Sequence, residues 1–421
     1  MRRQLRAGSL FACLILPFAL TISSCHKDVS PPKNTPLDLP ANSGQVILAA
    51  NDFAINIFRT MLAHDSGQSN KLISPLSIFT CMSMVYNGSA TSTRDSMTKA
   101  LSLAGISLPQ LNTVSNALIQ QMPKEDNKVQ LSIANSAWYD QRRAQPLPGF
   151  LDTVQRDYQA TIQSLDFLSP NAITTINSWV SSHTNGKIPS IVDDLSPSAI
   201  MVLVNAVYFN GAWKNSFKTS DTRNDVFYKT GGSPSTVAFM SQTASLRAYS
   251  GPDLRLLELP YGAGQSFDMY LLTPTNPSRS IMDLARSLDR SSLATAFAGL
   301  DTTTIDLRLP KWEYRYNIQE MKPHLSDLGM GIAFSPSADF SNMFPPSVNA
   351  AISEVIHKTY IKVSEEGTEA AAVTGTTIYA TGALPQQPPV WKFDHPFVYL
   401  IAEKQTGSIF FMGIVNDPAA N

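Results

Sequence analysis

The sequence predicts an α+β protein organised as one large domain, on three observations. Amphipathic helical patterns come early in the chain, strand-like runs dominate later, and after Val46 there is no long linker, tandem repeat or low-complexity tract. Asn51 to Leu62 sets Phe53, Ile55, Ile57, Phe58, Met61 and Leu62 on a helical period, and Pro75 to Tyr86 reads as a second, buried helix after a Ser-Pro start. Strands are expected at Leu131 to Tyr139, Met201 to Phe209, Leu254 to Leu259, Phe267 to Leu272, Thr304 to Leu309 and Phe397 to Ala402, runs bounded by Gly, Pro and Asn. Ile352 to Ser364 alternates as a long strand, with Val355, His357, Thr359, Ile361 and Val363 on one face and Ile356, Lys358, Tyr360 and Lys362 on the other.

Composition narrows the function classes. At 421 residues with 43% hydrophobic content the chain can bury a real core, so disorder is excluded. Lys plus Arg 32 against Asp plus Glu 33 leaves a net charge of -1, too little to draw the protein onto nucleic acid or an anionic membrane. The six histidines show no ligand spacing, so neither a metal nor another cofactor is expected.

The N-terminus carries a different message. Arg2, Arg3 and Arg6 precede an apolar stretch too short to span a bilayer, which ends at Ile22-Ser23-Ser24-Cys25. This ending resembles the lipobox of bacterial lipoproteins, in which Cys25 would carry the lipid. The expected layout is a signal peptide over 1–24, a Pro-rich tether over 25–45 and a single body over 46–421. The protein would cross the inner membrane and be anchored to the outer one by lipid alone. His26-Lys27-Asp28 faintly resembles the surface-export signals of such proteins. With Cys13 in the signal and Cys25 lipidated, Cys81 is left alone as a small core residue, and no disulfide is expected.

After Ser364 the chain changes character. Glu365-Glu366-Gly367-Thr368-Glu369-Ala370-Ala371-Ala372-Val373-Thr374 opens a stretch of small and Thr-rich residues with no proline before Pro385. A long loop of this kind keeps strand-compatible chemistry. Here the sequence resembles the serpin family, and the likeness runs through the body in ordered motifs. These include Asn70-Lys71-Leu72-Ile73-Ser74-Pro75-Leu76-Ser77-Ile78, Leu203-Val204-Asn205-Ala206-Val207-Tyr208-Phe209-Asn210-Gly211-Ala212-Trp213, Leu309-Pro310-Lys311-Trp312, Asp394-His395-Pro396-Phe397 and Phe411-Met412-Gly413.

The resemblance implies a serpin fold of three β-sheets and about nine helices, with an exposed reactive-centre loop over roughly 367–390. It also implies an irreversible suicide inhibitor of serine endopeptidases and not an enzyme. The partner would be a protease held as a covalent acyl-enzyme, and the inhibitor itself is expected to be a monomer. In this reading Glu365, Gly367, Thr368, Glu369, Ala370, Ala371 and Ala372 form the hinge, and Ser74, Ser77, Asn205 and His357 a shutter beneath the large sheet. Trp213 marks the breach where insertion begins. The loop is longer than in a typical member. Counting from Glu365 places the reactive bond at Thr381-Gly382, with Tyr379, Ala380 and Leu384 as alternates. No Lys or Arg lies between Lys362 and Lys392, which favours elastase-, subtilisin- or chymotrypsin-like targets over trypsin-like ones and leaves papain-like cysteine proteases open.

Two rival readings come from other classes. Ser96-x-x-Lys99, Ser169-Pro170-Asn171 and Lys229-Thr230-Gly231 fall in the order of the motifs of penicillin-recognising enzymes, but each is short and common. The stronger rival is a non-inhibitory serpin acting as a binding or carrier protein, whose loop is cut as a simple substrate.

Overall fold

A computed structural model of the protein describes residues 36–63, 65, 68–196, 198–318, 320–353, 355–368 and 387–420. The first part is helical, with α1 (Ser43–Ala63), β1 (Lys71–Ile73), α2 (Pro75–Gly88), α3 (Thr91–Ala100) and α4 (Leu108–Gln121). Then come β2 (Val129–Tyr139), α5 (Pro148–Tyr158), β3 (Thr161–Ser164), α6 (Pro170–His183) and β4 (Met201–Ala212). Strands β5 (Arg223–Phe227), β6 (Ser235–Ser250), β7 (Leu254–Pro260) and β8 (Phe267–Pro274) follow without a helix between them, before α7 (Ile281–Ser287) and α8 (Arg290–Ala298). The chain continues through β9 (Asp301–Pro310), β10 (Trp312–Ile318), α9 (Lys322–Leu325), β11 (His357–Ser364), β12 (Gly367–Thr368), β13 (Val390–Lys392), β14 (Phe397–Glu403) and β15 (Ile409–Val415). The α+β class is as expected.

Six strands form the central sheet in the order β10-β11-β12-β4-β2-β3. The other strands pair as one nine-stranded sheet, because β6 is 16 residues long and meets β5 along 235–239, β9 along 239–248 and β7 along 247–250. Pairing therefore fuses two of the three expected sheets. Odd-numbered β4 residues such as Val207 and Phe209 join the main core, whereas Val204 and Ala206 pack with Trp138 in a smaller core that includes Ile176 and Val180 of α6. This alternation follows from the two-residue period of a strand buried on both faces.

Two expected boundaries move. The long strand begins at His357, not Ile352. Upstream, the Ile352 amide donates to the Ala333 carbonyl (3.0 Å) and the Val355 carbonyl accepts from the Met321 amide (3.0 Å), which directs those backbone groups away from a ladder. At the other end, residues expected in the tether already belong to the body. Leu37 is buried, and its amide and carbonyl bond the Gln405 side chain at 2.9 and 3.1 Å. Gln121 grips Asp38 in the same two-point manner, both contacts at 2.7 Å. α1 is long and apolar enough to cross a membrane, but its apolar face is buried in the core.

Candidate functional site

The central sheet contains a slot. β12 is antiparallel to both β11 and β4, so those two strands run parallel to each other on either side of it. Yet β12 is two residues long. Gly367 lies opposite Ser364 and Ala212, and Thr368 opposite Val363 and Gly211. Below Thr368, among the described residues, no strand pairs with the facing edges of β4 (201–210) and β11 (357–362).

At the filled end the strand ends are closely held. Glu365 and Glu366 form the two-residue turn between β11 and β12. Gly367 has φ +148°, and a Cβ there would fall 2.1 Å from the Gly211 carbonyl oxygen, so only glycine fits. Thr368 is buried and its hydroxyl meets that of Tyr261 at 2.6 Å. Trp213, at the end of β4, donates from Nε1 to the Ser364 carbonyl (2.9 Å) and from its amide to the Glu366 carbonyl (2.9 Å). Its ring stacks on Tyr261 at 4.4 Å, so one side chain clasps the ends of β4 and β11. The buried Glu365 carboxylate accepts from Thr222 Oγ1 (2.8 Å) and pairs with Lys311 Nζ (2.8 Å). Burial pushes its pKa up, but the Lys311 and Thr222 hydrogen bonds help hold it below the ordinary carboxylate value.

The same end is bolted to the large sheet by the turn after β7. The Gly262 amide donates to the Ala212 carbonyl (2.7 Å), and the Gly264 amide to Asp126 Oδ2 (2.8 Å) just before β2. Buried carboxyl groups collect here. Burial, with the Glu403 and Asp126 charges nearby, pushes Glu125 up to about 8. Burial also raises Glu403, and burial together with Glu258 raises Asp268 to about 7. Lys404 lies 2.8 Å from Glu258 and 3.3 Å from Asp268, while Arg247 holds Glu258 at 2.7 Å.

The lower end is built otherwise. His357, the first residue of β11, is buried, and its Nε2 accepts from the Ser74 amide (3.0 Å) at the start of α2. Burial holds its pKa down at about 4, so the imidazole is neutral. Asn205 does not reach His357. Its Nδ2 donates to Asn135 Oδ1 on β2 (2.6 Å), while its own Oδ1 is buried without a hydrogen-bond partner. Ser77, Asn205 and His357 line one cavity of about 360 Å³, and Ser74 borders it through His357. Cys81 lines the cavity too. Its thiol approaches the Leu203 carbonyl at 3.7 Å, and burial pushes its pKa up to about 12, which fits a thiol without chemistry. The chain after α6 is tied to both edges of the slot. Asn185 Nδ2 donates to Tyr208 of β4 (3.4 Å), Lys187 Nζ sits 5.3 Å from the Tyr360 ring of β11, and Asp193 pairs with Lys358 (3.0 Å).

The structure thus brings Glu365, Gly367, Thr368 and Trp213 together at one end of the slot and Ser74, Ser77, Asn205 and His357 at the other. Cys25, Glu369, Ala370, Ala371, Ala372, Tyr379, Ala380, Thr381, Gly382 and Leu384 lie outside the described residues. No cluster that could hold a metal occurs among the described residues. The penicillin-type motifs are used locally. Ser96 Oγ donates to the Thr93 carbonyl (2.9 Å), Ser169 caps α6 and Lys229 pairs with Asp417 (2.9 Å). Tyr261, Gly211 and Asp126 were not singled out by the sequence. Only the bulk of Phe209 and Tyr261 around Gly211, where a Cβ would meet both at 2.9 Å, explains that glycine, and no sequence spacing reveals it.

Comparison with known proteins gives the same frame. A family model described as serpin (serine protease inhibitor) matches residues 48–418. The leukocyte elastase inhibitor of Bos taurus is 33% identical over 390 residues, covering 89% of this chain and 100% of that one. An uncharacterised serpin-like protein of Thermococcus kodakarensis is 31% identical over 376 residues, covering 89% and 86%. Among solved structures, the thermophilic serpin tengpin in its native state superposes with TM-score 0.82 at 31% identity, covering 92% of this chain and 97% of that one. Human thyroxine-binding globulin in complex with thyroxine gives 0.80 at 26% identity, covering 90% and 100%. Family model, relatives and fold agree, and the chain belongs to the serpin family.

Proposed function

We propose that this serpin is a suicide inhibitor of serine endopeptidases. The observation that carries the reading is the slot between β4 and β11, which Gly367 and Thr368 start and which no strand fills below them among the described residues. A target protease attacks the reactive bond, proposed at Thr381-Gly382, and forms an acyl-enzyme as in ordinary proteolysis. Cleavage frees the hinge, and the strand lengthens downward before water completes hydrolysis. Continuing the register of β12, each step of two residues faces β4 and β11 together, so Ala370 meets Phe209 and Ile361, and Thr374 meets Asn205 and His357. Ala370, Ala372 and Thr374 would face the core as Thr368 does, and none of the four is larger than threonine. Filling the slot with about sixteen residues at roughly 3.3 Å each carries the acylated protease about 50 Å and distorts its active site. A loop without Lys or Arg favours elastase-, subtilisin- or chymotrypsin-like targets. Lipid attachment at Cys25 would hold the trap at the outer membrane.

Incubation with elastase, subtilisin, chymotrypsin and trypsin tests this. The expected result is a complex that survives denaturing gels, with a released peptide beginning at Gly382. The carrier reading is favoured instead if the loop is cut, no adduct forms and the melting temperature stays where it was. The likeness to thyroxine-binding globulin keeps that second reading in view.

A further inference from the structure

Beneath Thr368 the two hosts of the slot present unlike outer faces. On β11 the side chains turned away from the core are Lys358, Tyr360, Lys362 and Ser364, each half-buried, while Tyr208 and Asn210 of β4 across the slot carry no charge. Lys358 is matched by Asp193 (3.0 Å). Lys362 pairs with Glu313 (3.1 Å), its directly opposed residue on β10 and so on the side away from the slot. Lys187 adds a second cation, because it lines one small space of about 10 Å³ together with Lys362, Tyr208, Tyr360 and Thr368. Burial pushes the Glu313 carboxyl up, but Tyr360, Lys362 and Lys187 hold it below the ordinary carboxylate value, so both cations act on this spot. The described residues that line the space include these two cations and no acid.

The sequence supplies one counter-charge. Between Glu366 and Lys392 the single charged residue is Glu369, which follows Thr368 directly. Continuing the register of β12 by one residue sets position 369 opposite Lys362 on β11 and Asn210 on β4. Side chains alternate across a strand, so with Thr368 turned inward the next residue would point outward, as Lys362 does. We propose that Lys362, assisted by Lys187, receives the Glu369 carboxylate as the first step of strand lengthening, which makes Lys362 a positioning residue for insertion. This rests on the inhibitory reading above. The contact would also fix the register, because a slip of one residue brings Ala370 to Lys362 and turns the Glu369 charge into the core. Lys187 belongs to the chain after α6, so the same carboxylate would tie that segment over the growing strand.

The test is a double-mutant cycle on the purified protein, with Lys362→Met and Glu369→Gln alone and together. The readout is the ratio of trapped to hydrolysed protease, taken with whichever member of the panel forms the adduct, in low salt. Each single substitution should lower the ratio about threefold, and the pair should also lower it about threefold, because both remove one contact. Lys187→Met should have the smaller effect, about 1.5-fold. In about 1 M salt, where charges are screened within roughly 3 Å, the differences should disappear. A loss of about ninefold in the double variant overturns the capture, because independent effects multiply. No loss in either single variant overturns it too, as does a loss that survives high salt.

Protein cleaved in the loop gives a second arm that needs no trapped protease. Where cleavage raises the melting temperature, each single substitution should take back about 1–2 °C of the rise, and the double variant no more than either. Additive losses, or none, overturn the contact while leaving the inhibitory reading in place. A wild type whose melting temperature does not rise on cleavage overturns the inhibitory reading and the capture with it. Intact Glu369→Gln should melt with the wild type, and intact Lys362→Met reports the Glu313 pair alone, so a folding defect is told apart from a lost contact.

Discussion

The two ends of the slot solve opposite problems. At the upper end, Trp213, Tyr261, Glu365 and the Gly262 turn leave no room, and Gly367 passes the β4 backbone so closely that no side chain fits. At the lower end no strand among the described residues joins β4 to β11, a cavity lies beside them, and Asn205 keeps an acceptor without a partner. The ends also titrate in opposite senses. Raised carboxyl groups at the top favour acid, whereas the lowered histidine at the bottom favours neutral and alkaline pH. The end at which β12 begins is thus held through Trp213, Glu365 and Gly367, and the other end borders a cavity.

Removing the clasp should have the largest effect. Trp213→Ala vacates a buried indole and frees the Ser364 carbonyl, and should cost about 3–5 kcal/mol in urea unfolding. Equal stability of wild type and variant would mean that the upper end is not the anchored one. Gly367→Val attacks the start of the strand. It should lower the ratio of trapped to hydrolysed protease roughly tenfold, equivalent to about 1.4 kcal/mol of barrier, in a gel-based partition assay. An unchanged ratio would show that β12 can be displaced without consequence.

The pH predictions sharpen the contrast. His357 titrates at 6.5 when unfolded and about 4 when folded, so the folded state binds fewer protons between those values. Its contribution is complete above pH 6.5 and disappears as pH falls through 4, a loss of roughly 3 kcal/mol. His357→Gln should flatten the acid limb of a stability profile. Glu125 has the reverse sign. Its folded value of about 8 against 4.5 means that its contribution is complete below pH 4.5 and is lost as pH rises through 8. Glu125→Gln should therefore gain on wild type with rising pH, by about 1 kcal/mol once solvent screening at this junction is allowed for. Parallel profiles for the two variants would remove the contrast between the ends.

Local chemistry made much of this readable in advance. The alternation of His357 to Val363, the small residues from Gly367 and the apolar run of β4 each mark their element without help from the rest of the chain. Parts that depend on distant contacts were hidden. Tyr261 matters because it meets Thr368 and Trp213, and Asp126 because it receives the Gly264 amide, partners remote in sequence. β6 escaped notice because much of it is Ser, Thr and other polar residues, so burial does not stamp a clear pattern on it. Asn205 and His357 were expected as neighbours. They do share a cavity, but each bonds its own support, Asn135 and Ser74.

The parallel course of β4 and β11 has a mechanical consequence. A guest strand antiparallel to both hosts bonds them by turns, one residue to one edge and the next to the other, so lengthening it would resemble closing a zip fastener with the Glu365–Glu366 turn as its fixed stop. Each tooth can engage only after the one above it. Undoing any two-residue step would break ties to both hosts, so in the inhibitory reading the movement would be ratcheted by topology.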